Sequence, residues 1–458
     1  MNTTTSVDIN AAYPFATAKR VAGAIAMQRL SRGEKDEHEP FYVIDLEPVV
    51  SLYQTWKTSL PCVEPHYAVK CNPNPALLRV LNGLGAGFDC ASSDEMDRVT
   101  ALGVAPERII FANPCKMPSQ IAHAKRLGVR RMTFDNEDEL LKVAQIYPEA
   151  ELVLRIVTDD SHSLCRFSSK FGAHLASVPR LLAAAAKLGL RIVGVSYHVG
   201  SGCTDPAAHA AAATDALAVF RLGRQYGFEM TLLDIGGGFL GDETASPSVN
   251  DVAVHLLPVL AQFPRGTRFI AEPGRYFAAR SHTLVANIHS RRVVTDDDGN
   301  IVQVLYYIND GVYHSFNCIF FDHQHPLPRT LLPPGAPELA ARPVVPSTVF
   351  GPTCDSLDCV CKDVPMPLLD VGDWLFFPDM GAYTTAAMTH FNGFLGAVDA
   401  IYMYGNTLLT PALLATLDTL DTLALALVPA GIATLPSGVT EVPDTPSATP
   451  CAMEDVKF

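Results

Sequence analysis

Lys70 closes the apolar run His66-Tyr67-Ala68-Val69-Lys70. A lysine at the end of a buried strand is costly unless its ammonium is neutralised or paired, and a Schiff base with an aldehyde cofactor is one way to use it. A snorkelling or ion-paired lysine explains the same residue. Gly236-Gly237-Gly238 follow Leu232-Leu233-Asp234-Ile235. Three positions without side chains let backbone N–H groups approach a phosphate, although a tight turn uses glycine equally well. Glu272-Pro273-Gly274-Arg275 adds a carboxylate able to hold a pyridinium N–H, another open backbone position and a planar donor suited to phosphate. A surface turn with a charge pair is the plain alternative. As a set at strand ends, these groups favour a pyridoxal phosphate (PLP) site over a structural reading.

The elements that must position them follow from the same spacing. Further apolar runs stop at Asp89, Asn113, Asp135, Arg155 and His198, and Ala/Leu-rich stretches such as Val178–Leu188 and Ala207–Tyr226 read as helices between them. Strand and helix thus alternate about eight times, the pattern of a (β/α)8 TIM barrel with its active site at the carboxyl ends of the strands. A doubly wound sheet alternates similarly but does not explain chemistry at so many separate strand ends. The barrel is assigned to residues 46–278. Before it, residues 1–45 hold a helix over Ala18–Arg29, with Thr17 as N-cap, and a strand at Phe41–Asp45 that leads into the barrel, the segment packing on the second domain. After Arg275 the pattern turns to β segments at 283–289, 303–309, 342–351 and 373–378, with a hairpin turn in Thr295-Asp296-Asp297-Asp298-Gly299-Asn300. A second, mostly β domain is predicted over 279–405. Residues 406–458 form a tail whose Pro/Ser/Thr/acid composition beyond 429 predicts mobility.

Composition bounds the function. The 458 residues are 48% hydrophobic and 18% charged, enough for a large core, and carry a formal net charge of −14. An acidic chain does not suit nucleic acid, whose phosphates require a basic surface, and it is compatible with a small cationic substrate. No secretory leader is expected in the Thr-rich start. The longest apolar tract, Leu413–Val428, is interrupted by Asp418 and Asp421, which argues against a membrane span. Eleven scattered cysteines read as reduced thiols, so a cytoplasmic protein is expected.

Longer motifs carry a resemblance. Tyr67-Ala68-Val69-Lys70-Cys71-Asn72, Gly87-Phe88-Asp89-Cys90-Ala91-Ser92, Phe111-Ala112-Asn113-Pro114-Cys115-Lys116, Ser196-Tyr197-His198-Val199-Gly200-Ser201-Gly202, Asp234-Ile235-Gly236-Gly237-Gly238-Phe239, Ala271-Glu272-Pro273-Gly274-Arg275-Tyr276, Gly351-Pro352-Thr353-Cys354-Asp355-Ser356 and Gly381-Ala382-Tyr383-Thr384 resemble the eukaryotic ornithine decarboxylases. The similarity runs in order from Phe41 to Gly396. It implies the fold-type III PLP-dependent decarboxylase family, with an alanine-racemase-like fold and a homodimer whose active sites are shared between subunits.

The resemblance implies roles residue by residue. Lys70 would form the Schiff base with PLP, His198 would stack on the pyridine ring, and Asp89 and Arg155 would support the lysine and the ring. Ser201, Gly238, Gly274, Arg275 and Tyr383 would hold the phosphate, and Glu272 the pyridine nitrogen. Cys354 and Asp355 would reach in from the partner subunit, Cys354 returning a proton to the substrate carbon. Asp355 and Asp322, with Phe321 beside them, would bind the distal ammonium of L-ornithine, since two carboxylates facing one cation favour a basic amino acid. Aspartate at 355, where diaminopimelate-type relatives usually carry glutamate, supports ornithine. Phe321, His314 and Leu240 depart from the usual tyrosine, glycine and proline, which bears on the choice between ornithine and lysine. A metal cluster of Cys354, Cys359, Cys361, His323 and His325 lacks the paired C-x2-C spacing of structural zinc, so no metal is expected. An inactive regulator of the antizyme-inhibitor kind is the alternative from another class; retention of the cofactor and substrate residues favours the enzyme. Antizyme is also implied as a partner for the basic stretch with Lys125, Arg126, Arg130 and Arg131, which a solvated charge cluster at a helix end explains as well.

Overall fold

The computed structural model describes residues 18, 21–23, 25–26, 38–241, 246–331 and 342–404, with the backbone of 407–408. Strand β1 (Phe41–Asp45) comes first in the chain. Five parallel strands follow, β2 (Val63–Ala68), β3 (Gly87–Cys90), β4 (Ile109–Phe111), β5 (Arg131–Phe134) and β6 (Glu151–Arg155). After a short strand β7 (Ser163–Cys165), the series resumes with β8 (Arg191–Ser196) and, beyond β9 (Ser201–Cys203), with β10 (Leu232–Asp234) and β11 (Arg268–Ala271). Strands β2–β6, β8, β10 and β11 close into the expected barrel, β11 pairing in parallel with β2. Strands β7 and β9 pair antiparallel outside it.

Helices cover the barrel because their sequences bury one stripe. In Val178–Lys187 the buried residues are Val178, Leu181, Leu182 and Ala185, the spacing of a single helix face. Side-chain caps fix the starts of some: Asn74 accepts from the N–H groups of Ala76 and Leu77, and Ser248 forms a capping box with Asp251. The helix Glu47–Ser59 precedes β2 and fills the gap between Val249–Leu260 and Pro75–Gly83. The barrel therefore begins with a helix. Trp56 anchors that helix, fully buried, its indole N–H donating to the Val63 carbonyl at 2.9 Å. Inside the barrel, Ile110, Val153, Leu232 and Ile270 form a small apolar plug of their own.

The second domain is a nine-stranded sheet. It is built from β12 (His282–Thr295), β13 (Ile301–Ile308), β14 (Arg329–Leu331), β15 (Val344–Phe350), β16 (Cys359–Pro367), β17 (Trp374–Phe377), β18 (Asp399–Tyr404) and β19 (Thr407–Leu408), together with β1. Its main path is β16-β15-β13-β12-β1-β18-β19, with β17 joining β12 to β14. The expected hairpin links β12 and β13: the Asp296 carboxylate accepts from the N–H groups of Asp298 and Asn300 at 3.0 and 2.8 Å.

Two sequence boundaries shift. Strand β1 leads into the barrel along the chain, yet it sits in the sheet, antiparallel to β12 and parallel to β18. Helical residues Val21, Ala22, Ile25 and Ala26 pack on the same sheet against Phe41, Val43, Trp374 and Met403. The sheet also continues past 405, because β19 pairs with β18. The tract 413–428 and the tail beyond 429 lie outside the described residues. Among the described residues no helix is long and apolar enough to cross a membrane.

Candidate active site

Strand β2 ends at Ala68, and Lys70 sits in the single turn Val69–Cys71 that follows. The second domain clamps that turn: the Tyr383 N–H donates to the Cys71 carbonyl at 2.9 Å, and the Asn72 amide donates to the Gly381 carbonyl at 2.8 Å. Lys70 Nζ donates to Asp89 Oδ2, on the neighbouring strand β3. The Asp89 side chain is wholly buried, whereas that of Lys70 is 41% exposed at the open end of the pocket. Burial opposes the ammonium, but Asp89 and then Glu272 outweigh it and raise its pKa, so the amine is held charged.

His198 follows β8. Its Nδ1 accepts from the Gly200 N–H at 3.0 Å, which leaves the proton of the neutral ring on Nε2. Burial, then the charges of Arg155 and Lys70, lower its pKa well below 6.5. A Cβ at Gly237 would lie 2.9 Å from His198 Nε2 and 2.9 Å from the Glu272 carbonyl oxygen, so glycine there keeps the space beside the ring open. Arg155 ends β6 with its guanidinium 5.1 Å from the centre of the Phe171 ring.

A buried acid pair lies below these groups. Asp234 ends β10 and Glu272 follows β11; the two strand ends are stitched by Ile235 N–H to the Ile270 carbonyl at 2.9 Å and Glu272 N–H to the Gly236 carbonyl at 2.7 Å. Asp234 Oδ1 accepts from the Gly236 N–H at 2.9 Å, while its buried Oδ2 has no donor. Burial and then Asp234 raise Glu272 well above the carboxylate range; burial raises Asp234 to about 7. Among the described residues no cation is ion-paired to either, so burial and mutual repulsion favour one proton shared by the two carboxyls. Asp234 is a site residue to which the motif reading gave no role, although it stands directly before the glycine run.

The phosphate-type residues converge at the other side. Gly236 and Gly238 have φ of +64° and +109°, and a Cβ at Gly238 would come within 2.7 Å of Val199 Cγ2, so this turn requires glycine. Gly274 precedes the short helix Arg275–Ala278. Arg275 donates from Nε and Nη2 to Ser201 Oγ at 3.2 and 3.0 Å, and from Nη2 to Asp322 Oδ1 at 2.5 Å. It also lies over the Tyr383 ring, 5.4 Å from its centre. Lys70, Asp89, Arg155, His198, Glu272, Ser201, Gly238, Gly274, Arg275, Tyr383 and Asp322 are thus gathered by one barrel mouth and the domain that closes over it.

Residues 46–279 match the family model for the pyridoxal-dependent decarboxylase, pyridoxal binding domain. The chain belongs to the pyridoxal-dependent decarboxylases. It is 44% identical to ornithine decarboxylase of Neurospora crassa, covering 84% of this chain and 86% of that protein. It is 47% identical to the rat ornithine decarboxylase (78% and 79%) and 48% identical to antizyme inhibitor 2 of Xenopus laevis (79% and 80%). Among solved structures, the arginine decarboxylase of Paramecium bursaria Chlorella virus bound to agmatine superposes with a TM-score of 0.76 at 33% identity, covering 83% of this chain and all of that one. The lysine/ornithine decarboxylase of Vibrio vulnificus with cadaverine gives 0.72 at 30%, covering 83% and 98%.

The remaining predicted residues of this decarboxylase sit apart from the lysine. Phe321, just before Asp322, is 69% exposed. Cys354 and Asp355 occupy a loop of the sheet domain: the Cys354 N–H donates to Asn392 Oδ1 at 3.1 Å, and Asp355 accepts from the Tyr313 hydroxyl and, at 3.0 Å, from the Leu357 N–H. Within the chain their hydrogen bonds are to this domain, not to the barrel. Exposed Leu357 follows them in the chain, and exposed Phe391, Phe394 and Leu395 belong to the segment of Asn392, which bonds the loop; Tyr313 stacks on Phe391 at 4.3 Å. Tyr313 and Asn392 brace this loop; Tyr313 ends the family-like motif Asn309-Asp310-Gly311-Val312-Tyr313 but was given no role there, and Asn392 had no signal in the motifs. The basic stretch is divided: Lys125 pairs with Glu149 at 3.5 Å, Arg126 bonds His123, and Arg131 is only 9% exposed, so Arg131 does not belong to a surface patch.

Proposed function

We infer that this chain is a PLP-dependent decarboxylase that converts L-ornithine to putrescine and CO2, the entry step of polyamine synthesis. The carrying observation is the Lys70–Asp89 ion pair, on barrel strand ends shared with His198, Glu272 and Arg275, in a chain 44–47% identical to ornithine decarboxylases.

The residues fit PLP by donor chemistry. Lys70 supplies the amine for the aldehyde. His198, neutral and with the space beside it kept open at Gly237, offers a ring face. Glu272 supplies a carboxyl for the pyridine nitrogen. Arg275, Ser201 and the backbone at Gly238 and Gly274 supply donors for the phosphate, with Tyr383 beside them. When bound, the cofactor ring accepts the electron pair left as CO2 departs. Asp89 holds the Lys70 amine in place, and Asp234 with Glu272 stores a proton. Cys354 delivers a proton to the carbon that lost its carboxylate, and Asp322 and Asp355 hold the substrate's distal ammonium.

Cys354 and Asp355 come from a partner subunit in this reading. It is supported by their position on an exposed loop flanked by apolar side chains, a surface that a second copy would cover. The reading places the protein in the cytoplasm, supported by ten described cysteines without disulfides. Antizyme remains a proposed partner, with Lys125, Arg126 and Arg130 as the surface cations.

The similarity to antizyme inhibitor 2 supports a second reading as an inactive regulator. Incubation with L-ornithine, L-lysine and L-arginine separately decides between them. Putrescine from ornithine is expected as the dominant product. Dominant cadaverine or agmatine would replace the substrate, and no product together with no visible cofactor absorption would favour the regulator.

A further inference from the structure

Arg275 and Asp322 carry different assignments, the first to the cofactor phosphate and the second to the substrate ammonium, yet they are bonded to each other. Arg275 Nη2 to Asp322 Oδ1 is 2.5 Å, between side chains 7% and 4% exposed. We propose that this pair couples the two ends of the site: an anion drawing on Arg275 leaves Asp322 free to hold the substrate's distal ammonium, and occupancy of either end tightens the other. The proposal rests on the site reading above.

Three features support it. Arg275 does not depend on Asp322 for its orientation, because Ser201 Oγ accepts from its Nε and Nη2 and the Tyr383 ring lies under its guanidinium. It can therefore give up part of its interaction with Asp322 and remain aimed. Asp322 Oδ2 is buried without a donor, an acceptor position suited to an incoming ammonium. The groups facing Asp322 are Arg275, His323, the thiols of Cys165 (3.8 Å from Oδ1), Cys71 and Cys318, and the Tyr383 phenol, so among the described residues facing it Arg275 is the permanent cation. In a buried site with few counter-charges, a phosphate dianion competes directly with Asp322 for Arg275, and linkage makes the effect reciprocal.

The test uses the full-length protein and Asp322→Asn, titrated with PLP and with pyridoxal, which lacks the phosphate. Asp322→Asn should bind PLP at least about fivefold more tightly than wild type, with pyridoxal affinity unchanged, because Arg275 is no longer shared. Asp322→Glu, which keeps the charge, should restore the wild-type PLP affinity and shows that the site tolerates replacement. Reciprocally, putrescine should bind the cofactor-free wild-type protein at least about fivefold more tightly with saturating inorganic phosphate than without it, and Asp322→Asn should lose that dependence. Unchanged or weaker PLP binding by Asp322→Asn, or putrescine affinity indifferent to phosphate in wild type, would overturn the coupling. Failure of the substrate assignment itself reads out separately, as an ornithine KM that Asp322→Asn leaves unchanged.

Discussion

Replacing Asp234 by Asn should make the cofactor-free protein more stable at neutral pH, although Asp234 lies in the active site. The side chain is fully buried, and burial raises its pKa from 3.8 to about 7. The groups facing the pair from neighbouring strands are Asp89, Arg155 and Lys70, and only the last two are cations. A carboxyl whose folded pKa is raised contributes stability that is complete below its unfolded pKa, near 4, and is lost as pH rises through about 7. At 1.36 kcal/mol for each pH decade, the change from 3.8 to about 7 corresponds to about 4 kcal/mol lost across that window. Asparagine keeps the acceptor for the Gly236 N–H, gains a donor toward Glu272 and has nothing to titrate. The urea midpoint of Asp234→Asn relative to wild type, followed from pH 5 to 8 without cofactor, should therefore rise with pH, most steeply below pH 7. Midpoint curves that stay parallel across the range would refute a buried proton at Asp234.

Lys70→Ala should abolish both the visible absorption of bound cofactor and turnover; persistence of the band in a spectrophotometer would show that another amine holds the aldehyde. Lys70→Ala and Cys354→Ala homodimers should each be nearly inactive, but random exchange makes half the dimers mixed with one intact site each, restoring about a quarter of wild-type activity. Exchange verified with two affinity tags and no recovery would place Cys354 outside a shared site. Gly238→Ala must adopt φ +109° with Val199 Cγ2 2.7 Å from the new Cβ, so stability should fall by about 1–3 kcal/mol and PLP affinity should fall with it, read by calorimetry and by equilibrium dialysis.

Much of the geometry at the proposed cofactor end was legible because it is local. Gly236 and Gly238 sit in one turn whose backbone demands glycine, and Gly274-Arg275 begins a helix directly after a strand, so residue type and spacing reported the geometry. The proposed substrate end rests on resemblance alone. Phe321 and Asp322 lie in the short helix Cys318–Phe321 and its cap, and Cys354 and Asp355 in a loop, where no periodicity announces which way a side chain points. Strands β14, β16 and β18 were not anticipated for a related reason: Cys359–Pro367 carries Lys362, Asp363 and two prolines, and its strand character comes from pairing with β15 rather than from its own composition.

By itself the sequence determined the alternation that closes the barrel, the β character after Arg275, and the residue types that ring the barrel mouth, because hydrophobic period and turn chemistry are properties of short segments. Only the tertiary structure decided that β1 belongs to the sheet, that the barrel's first helix precedes its first strand, and which charges are partners. Asp234 meets Glu272 because β10 and β11 are adjacent, and Arg275 meets Asp322 across 47 residues. Such pairings set protonation and affinity through distance and burial, and neither is encoded in the separation of two residues along a chain.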